Sequence, residues 1–168
     1  MNEIIALVSN PWLAGPVIFV LLFLESAPVV GFLIPGTLLL PLLGTVTGSE
    51  SLPFWYVYGC AVAGNLSGDY LGFWLGRTER GEWMKNLRWQ RHKNSLEKAQ
   101  RMLEKRGALA VFLGRFMWLI HPVIPMAAGL FAVGTRTFLV VDSLAVALWI
   151  FFYLGAGHVL TSAWFHLF

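Results

Sequence analysis

Five ionisable side chains stand in stretches that are otherwise apolar: Glu25, Asp69, Arg115, His121 and Asp142. An ionised side chain at the centre of a bilayer costs roughly 2.5 to 3.5 kcal/mol on insertion scales, so such residues are usually paired or functional. A carboxylate can exchange a proton, a guanidinium can bind a phosphate through two parallel hydrogen bonds, and an imidazole titrates near neutral pH. Together these side chains indicate proton exchange and anion binding inside a membrane.

Pairing each acid with a base is the least costly arrangement, and it leaves alternatives open for three of these residues. Arg115 can pair with Asp69 or with Glu25. Asp69 and Arg115 belong either to a substrate or proton-coupling site or to a structural ion pair that ties helices together. Glu25 ends the first apolar run, where a break in the helix would bring it to water. All three are candidate substrate or proton-coupling residues.

His121 and Asp142 also have local explanations. His121 is followed directly by a proline, so it is either a neutral imidazole bonded to a free carbonyl or a ligand for a proton or a phosphate. Asp142 lies near the expected start of the last helix and close in sequence to Arg136. A helix N-terminus stabilises negative charge. We therefore interpret Asp142 as a structural acid and keep His121 as the fourth candidate.

The composition is that of an integral membrane protein. The chain has 168 residues, of which 57% are hydrophobic and 12% charged, against about 25% charged residues in an average soluble domain. Apolar runs at 13–24, 54–76 and 138–160 approach the roughly 20 residues that cross a bilayer. We expect an all-α, polytopic protein with a single membrane domain over 1–168. Without a basic region or a cleavage site at the start, the first segment should stay in the mature protein.

Basic residues concentrate in one loop. No Lys or Arg precedes Arg77, whereas 77–106 contains ten of them and four acidic residues. The positive-inside rule therefore predicts that this loop is cytoplasmic. Within 78–106, "NSLEKAQRMLEKRG" has the pattern of a basic amphipathic helix ended by Gly107, which we expect to lie on the anionic inner leaflet. Because membrane segments flank the loop on both sides, we expect no nucleic-acid partner.

Two apolar segments, 28–48 and 107–131, are interrupted by proline and glycine. Their breaking residues include Pro28, Pro35, Gly36, Pro41, Pro122, Pro125 and Gly129. Proline removes a helical donor and clashes with the preceding turn, and hydrocarbon cannot satisfy the backbone that is freed. We expect re-entrant hairpins, one in each half of the chain (1–77 and 107–168), in the manner of inverted repeats. Two kinked transmembrane helices without a site are the alternative.

Glycines recur every fourth residue in the central apolar run, at Gly64, Gly68, Gly72 and Gly76. On a helix they form one bare stripe along which another backbone can pack closely. Asp69 stands beside this stripe. The stripe serves either an internal helix contact or a homo-oligomer.

The order of these motifs resembles the DedA family. The motifs are Glu25 in the first helix, "IPG" in a broken segment, "GDYLGFWLGR", a basic loop, "GRF" followed by "P" and "AG", and a last helix with Trp149 and "LGAG". This family of bacterial inner-membrane proteins is related to the eukaryotic VTT-domain, or SNARE-associated Golgi protein, lipid scramblases. The match covers residues 20 to 160, and the spacing in "LIPGTLLL" and "HPVIPMAAG" resembles the YabI-type branch most closely.

The resemblance implies two opposed re-entrant hairpins and transport of undecaprenyl phosphate or another anionic lipid, often driven by the proton-motive force. It implies that Asp69 is the acid of the glycine-rich helix and Arg115 the first arginine of the second hairpin motif. Two positions depart from the family pattern. Thr37 stands where many members have an acid after the proline and glycine, and His121 stands where the second arginine is usual.

We therefore predict a transporter of an anionic lipid in the bacterial inner membrane, linked to the proton-motive force. In this hypothesis Arg115 and protonated His121 bind a lipid phosphate, and Asp69 neutralises Arg115 when no lipid is bound. The alternatives are a proton- or ion-coupled transporter of a small solute and a non-transporting role in membrane organisation. No nucleophile with a paired base occurs, and the four histidines lack metal-ligand spacing, so we expect no enzyme activity, metal or cofactor.

Overall fold

The computed structural model describes residues 11–28, 30–32, 36–49, 51–78, 93–117 and 121–167. Every regular element in these ranges is helical. The α-helices are α1 (Pro11–Ser26), α2 (Gly36–Gly48), α3 (Phe54–Thr78), α4 (Lys93–Arg106), α5 (Ala108–Gly114), α6 (Ile124–Leu130) and α7 (Thr135–Leu167), and two 3₁₀ turns lie at Val30–Phe32 and His121–Val123. The candidate residue Pro35, the first ten residues and most of the basic loop, 79–92, lie outside the described residues.

The helices differ in whether length and composition allow them to cross a membrane. Within the described ranges, α7 alone meets both conditions, over Thr135–Trp164, and α1 and α2 are shorter apolar helices. The 25 residues of α3 give a length of roughly 37 Å, enough for a bilayer core of about 30 Å. Its glycines and polar residues lower its mean hydropathy. Six of these residues lie on the buried side of the helix, however: Gly64, Asn65, Gly68, Asp69, Gly72 and Gly76.

The distribution of apolar and charged side chains is the reverse of that in a water-soluble protein. Large apolar side chains point outward, including Leu38, Trp55 and Phe152, which are 70%, 69% and 68% exposed. Glu25 and Asp69 are fully buried. A protein in water would be penalised for both features, whereas hydrocarbon outside the protein favours both. The helices therefore form a bundle whose apolar outer surface suits a lipid environment.

Two apolar clusters enclose a polar layer. The first cluster is formed by α1, α2, the N-terminal half of α3 and the middle of α7, and its largest buried members are Leu22, Leu40, Val57, Trp149, Ile150 and Leu154. The second lies where α4, α5 and α6 meet the C-terminal half of α3 and the start of α7, around Phe73, Val111, Val123, Ile124 and Phe138. Asp69 on α3 and Asp142 on α7 fall between the two clusters in sequence. Both long helices therefore carry a buried acid in this layer.

The glycine stripe of α3 packs inside the chain. A Cβ atom added at Gly64 would collide with the backbone of α1 at Phe19, and one at Gly68 would lie 2.6 Å from the carbonyl oxygen of Phe23. At Gly76 the collision is with the backbone of α6. Of the two uses of the stripe that the sequence left open, the structure shows the internal contact.

Pro125 and Gly129 place α6 against α3. Pro125 lies in the first turn of α6, where its missing N–H costs no helical hydrogen bond. A Cβ added at Gly72 would lie 3.5 Å from the Cβ of Pro125, and one at Gly129 would clash with the carbonyl of Phe73. These residues of the second interrupted segment thus allow α6 and α3 to approach closely.

One expectation differs from the structure, and for the basic helix the structure shows a contact that the sequence did not predict. The helix α2 continues through Pro41, because proline removes a single donor and tertiary packing compensates: Gly157 of α7 lies directly against the Pro41 backbone. The basic helix α4 buries Ala99 and Leu103 against α5 and α6. Its apolar face is therefore used for contact with the protein, and only its charged face is left for a membrane surface.

We expect Gly64→Ala to lower the free energy of unfolding by about 1 to 3 kcal/mol, because the methyl group would separate α3 from α1. Gly59→Ala is the matched control, since Gly59 lies on the same helix and a Cβ there has no atom within 4 Å. That control should be neutral or stabilising by up to about 1 kcal/mol. Chemical unfolding in detergent measures both, and equal effects would contradict the internal packing of the stripe.

Candidate functional site

The polar layer is built on one face of α3. Asn65 and Asp69 are four residues apart, so both point from this helix in the same direction. They face the end of α1, where Glu25 and Ser26 are also buried. Gly68 has no side chain and lets α1 approach, so that the hydroxyl of Ser26 donates a hydrogen bond to Asp69 Oδ1. Close backbone packing and the buried acid are therefore parts of one arrangement.

Arg115, directly after α5, supplies the cation. Its Nη1 donates to Asp69 Oδ2 in a buried ion pair, and its Nη2 donates to Asn65 Oδ1. The guanidinium carbon lies 5.0 Å from the ring centroid of Trp149 on α7, where the negative face of the indole attracts a cation. The guanidinium thus joins the end of α5 to α3 and α7.

Glu25 forms the second pair with His121. Its Oε1 lies 2.9 Å from His121 Nε2, and its Oε2 accepts a hydrogen bond of 2.8 Å from Asn65 Nδ2. The amide of Asn65 therefore contacts both pairs, accepting from Arg115 and donating to Glu25. We name this connected set of six side chains the polar cluster: Glu25, Ser26, Asn65, Asp69, Arg115 and His121.

The two interrupted segments meet at the polar cluster. At the start of α2, a Cβ on Gly36 would lie 2.6 Å from the carboxyl carbon of Glu25, so the carboxylate occupies the space of a side chain. In the first 3₁₀ turn, a Cβ on Gly31 would lie 3.2 Å from Pro122 of the second turn. Thr37 follows Gly36 and is half-buried. The breaks in the two halves of the chain therefore contact each other.

Asp142 is placed differently from our interpretation of the sequence. It is the eighth residue of α7, beyond the first turn, and is 2% exposed, while Arg136 is exposed. A helix N-terminus stabilises negative charge mainly within its first turn, so the position of Asp142 does not support the explanation by the helix N-terminus and Arg136. Within the described ranges, Asp142 Oδ2 and Arg115 Nε are the buried side-chain polar atoms without a hydrogen-bond partner. Asp142 lies within electrostatic range of Asp69 and Arg115.

Sequence reasoning missed Asn65 and Ser26. Asn65 carried a usable signal, because it precedes Asp69 by one helical turn and must share its face. Ser26 carried none, since its partner lies 43 residues away.

The polar cluster contains groups that can bind protons and anions. No group of three His, Cys, Asp or Glu residues placed to hold a metal occurs in the described part of the chain. Its carboxyl and imidazole groups can bind protons, and its guanidinium can exchange one anionic partner for another.

The comparisons with known proteins agree with this picture. The VTT domain family matches residues 34–159. The inner membrane protein YabI of Escherichia coli (strain K12) is 34% identical over 139 residues, which are 80% of this chain and 53% of YabI. The inner membrane protein YghB of Salmonella typhimurium is 29% identical over 165 residues, 93% of this chain and 73% of YghB.

The chain therefore belongs to the VTT-domain family, that is, to the DedA family that the sequence motifs indicated. It spans about half the length of YabI. The names of these relatives support a location in the bacterial inner membrane and specify no catalytic activity. No solved structure matches this chain significantly.

We expect Arg115→Met to lower the free energy of unfolding by about 3 to 5 kcal/mol, because it leaves the buried carboxylate of Asp69 without its cation. The double variant Asp69→Leu, Arg115→Met should recover part of that loss, since it removes both charges. Arg101→Met, which breaks the exposed pair with Glu97, should cost no more than about 1 kcal/mol. Strictly additive effects of the two buried substitutions in chemical unfolding would argue against the pair.

Proposed function

We propose that this protein moves an anionic lipid across the bacterial inner membrane, with undecaprenyl phosphate or another phospholipid as the substrate and the proton-motive force as the drive. The observation that carries the proposal is a buried guanidinium held by a carboxylate and an amide, Arg115 with Asp69 and Asn65, in a protein with an apolar outer surface. Such a cation can receive the phosphate of a lipid without contact with bulk water.

The same proposal includes a topology. The helices α5 and α6 have seven residues each, a length of roughly 10 Å that cannot cross a core of about 30 Å. We infer that they enter and leave by one side as a re-entrant hairpin, opposed by a second hairpin around the break before α2. The two hairpins would meet at Glu25 and His121, and the protein would be multi-pass with the loop 77–106 in the cytoplasm.

In the proposed mechanism the lipid phosphate competes with Asp69 for Arg115. The guanidinium uses its two Nη atoms in the resting contacts and has Nε without a partner in the described ranges. Protonation of Asp69 would weaken the ion pair and favour the phosphate-bound state. His121, if protonated beside Glu25, would add a second cation. Asp69, Arg115, Glu25 and His121 are the proposed substrate and proton-coupling residues.

An apolar groove lined mainly by residues of α1 and α2 is the proposed site for part of a lipid tail. It has a volume of about 260 Å³ and is lined by Ala14, Val17, Ile18, Leu21, Leu39, Leu42, Leu43, Val46, Leu52 and Val57. Leu21 precedes Glu25 by one helical turn, and Leu39 follows Gly36 by three residues. The inner end of the groove therefore lies close to the polar cluster. A lipid with its tail between α1 and α2 would hold its headgroup near the polar cluster, where His121 and Arg115 are the bases.

The first experiment follows a labelled polyprenyl phosphate across the membrane of proteoliposomes. We expect movement with the unmodified protein, and we expect Asp69→Asn to abolish it or to shift its dependence on pH, measured at two pH values. Lys98→Gln, which changes a charge on the exposed face of α4, is the control and should leave transport intact. Absence of movement above empty liposomes, with folded protein, would overturn the proposal and favour a small solute or an organising role.

A second experiment tests the groove with two tryptophan substitutions on α2. We expect Leu42→Trp to reduce lipid movement several-fold, because Leu42 lines the groove and the indole would occupy the space of the tail. Leu38→Trp is its matched control, one turn earlier on the same helix, 70% exposed and away from the groove lining. Equal transport by both variants, at equal thermal stability, would exclude the groove as the tail site.

A further inference from the structure

The buried acids and bases around the polar cluster do not balance. Three carboxyl groups, on Glu25, Asp69 and Asp142, are accompanied by two bases, Arg115 and His121, among the described buried residues. Arg115 pairs with Asp69 and His121 with Glu25. The adjoining segments outside the described ranges, 33–35 and 118–120, contain no ionisable side chain. Asp142 is the acid left over.

Asp142 forms no ion pair among the described residues, although Arg115 lies within electrostatic range of it. Its Oδ2 has no hydrogen-bond partner within the described ranges. Asp69 of α3 repels its negative charge, and the Nη donors of Arg115 are already engaged by Asp69 and Asn65. Tyr70 of α3 is hydrogen-bonded to Ser143 at 2.7 Å. The helices α2 and α5, which also pack on α7, carry no ionisable side chain.

A buried carboxylate without a partner is so costly that the group normally becomes neutral instead. We propose that Asp142 is a proton-binding site, which holds a hydrogen ion at neutral pH while Arg115 is paired with Asp69. The neutral acid removes the repulsion from Asp69, and it brings the group of five ionisable side chains closer to zero net charge.

The proton on Asp142 is linked to the partner of Arg115. If the guanidinium moved from Asp69 to Asp142, the cation would favour the ionised form of Asp142, which would release its proton. Asp69 would then be the acid without a counter-ion and would bind a proton. The net charge of the buried group would be the same before and after, so the guanidinium could change partners without leaving an uncompensated charge in the membrane.

Infrared spectroscopy of the full chain in a maltoside detergent, which has no carbonyl group, tests this site without any transported lipid, so its result is independent of the proposed transport. A neutral carboxylic acid has a carbonyl stretch separate from that of a carboxylate. We expect this band at neutral pH in the unmodified protein, and we expect Asp142→Asn to lose it. Glu97→Gln, an acid-to-amide change on α4 at a partly exposed salt bridge, should retain the band. A missing band in the unmodified protein, or a band that survives in Asp142→Asn, would overturn the proposal.

Thermal unfolding distinguishes a neutral, proton-binding Asp142 from an ionised Asp142 that is needed for folding. Asparagine has the shape of a neutral aspartic acid, so we expect Asp142→Asn to unfold within a few degrees of the unmodified protein. A fall as large as that of Arg115→Met would show that the ionised form is needed for folding and would overturn the proposal. If Asp142→Asn does not accumulate, Asp142→Glu gives the spectroscopic test, because its carbonyl band should move. An unmoved band would assign the proton to another residue.

Discussion

A buried charge in a lipid environment must find its partners within the protein, and the arrangement of the helices depends on that constraint. Arg115, Asp69, Asn65 and Glu25 come from three separate parts of the chain, yet each is held by hydrogen bonds to the others. No water from the bilayer can replace a missing partner. These hydrogen bonds hold the end of α1, the middle of α3 and the turn after α5 together in this structure, and the apolar clusters on either side pack around them.

The sequence predicted the helices well because their signals are local. The apolar runs, the glycine repeat and Gly107 gave α1, α3 and the end of α4 within about two residues, whereas α7 is longer than its apolar run by three residues at the start and seven at the end. The buried residues Asp69, Arg115, Glu25 and His121 were found because a charge in an apolar run is conspicuous. The pairing of Arg115 with Asp69 was one of two that the sequence left open, because either acid was compatible with the guanidinium, and the lipid hypothesis used it. The pairing of His121 with Glu25, 96 residues apart, was not predicted.

The remaining differences have a common physical cause, which is tertiary packing. Pro41 stays helical because α7 supports its backbone, and the apolar face of α4 is covered by protein, a contact that the sequence did not predict. Hydropathy averages over all sides of a helix, whereas a membrane meets only the outer side. An average therefore understates how well α3 suits the bilayer. The burial of Asp142 depends on neighbours distant in sequence, which an argument from the nearest helix end does not include.

The four-residue spacing of the glycines in α3 does not match the 3.6 residues of a helical turn, so the stripe winds around the helix by about 40° at each step. It faces α1 at Gly64 and Gly68, lies between Pro28 and Pro125 at Gly72, and faces α6 at Gly76. The same helix therefore makes a close backbone contact with α1, from the first half of the chain, and then with α6, from the second half. Inserting a single residue midway along α3 would rotate the glycines on one side of the insertion by about 100°, away from the helix that they contact. The length of this helix is therefore as constrained as its composition.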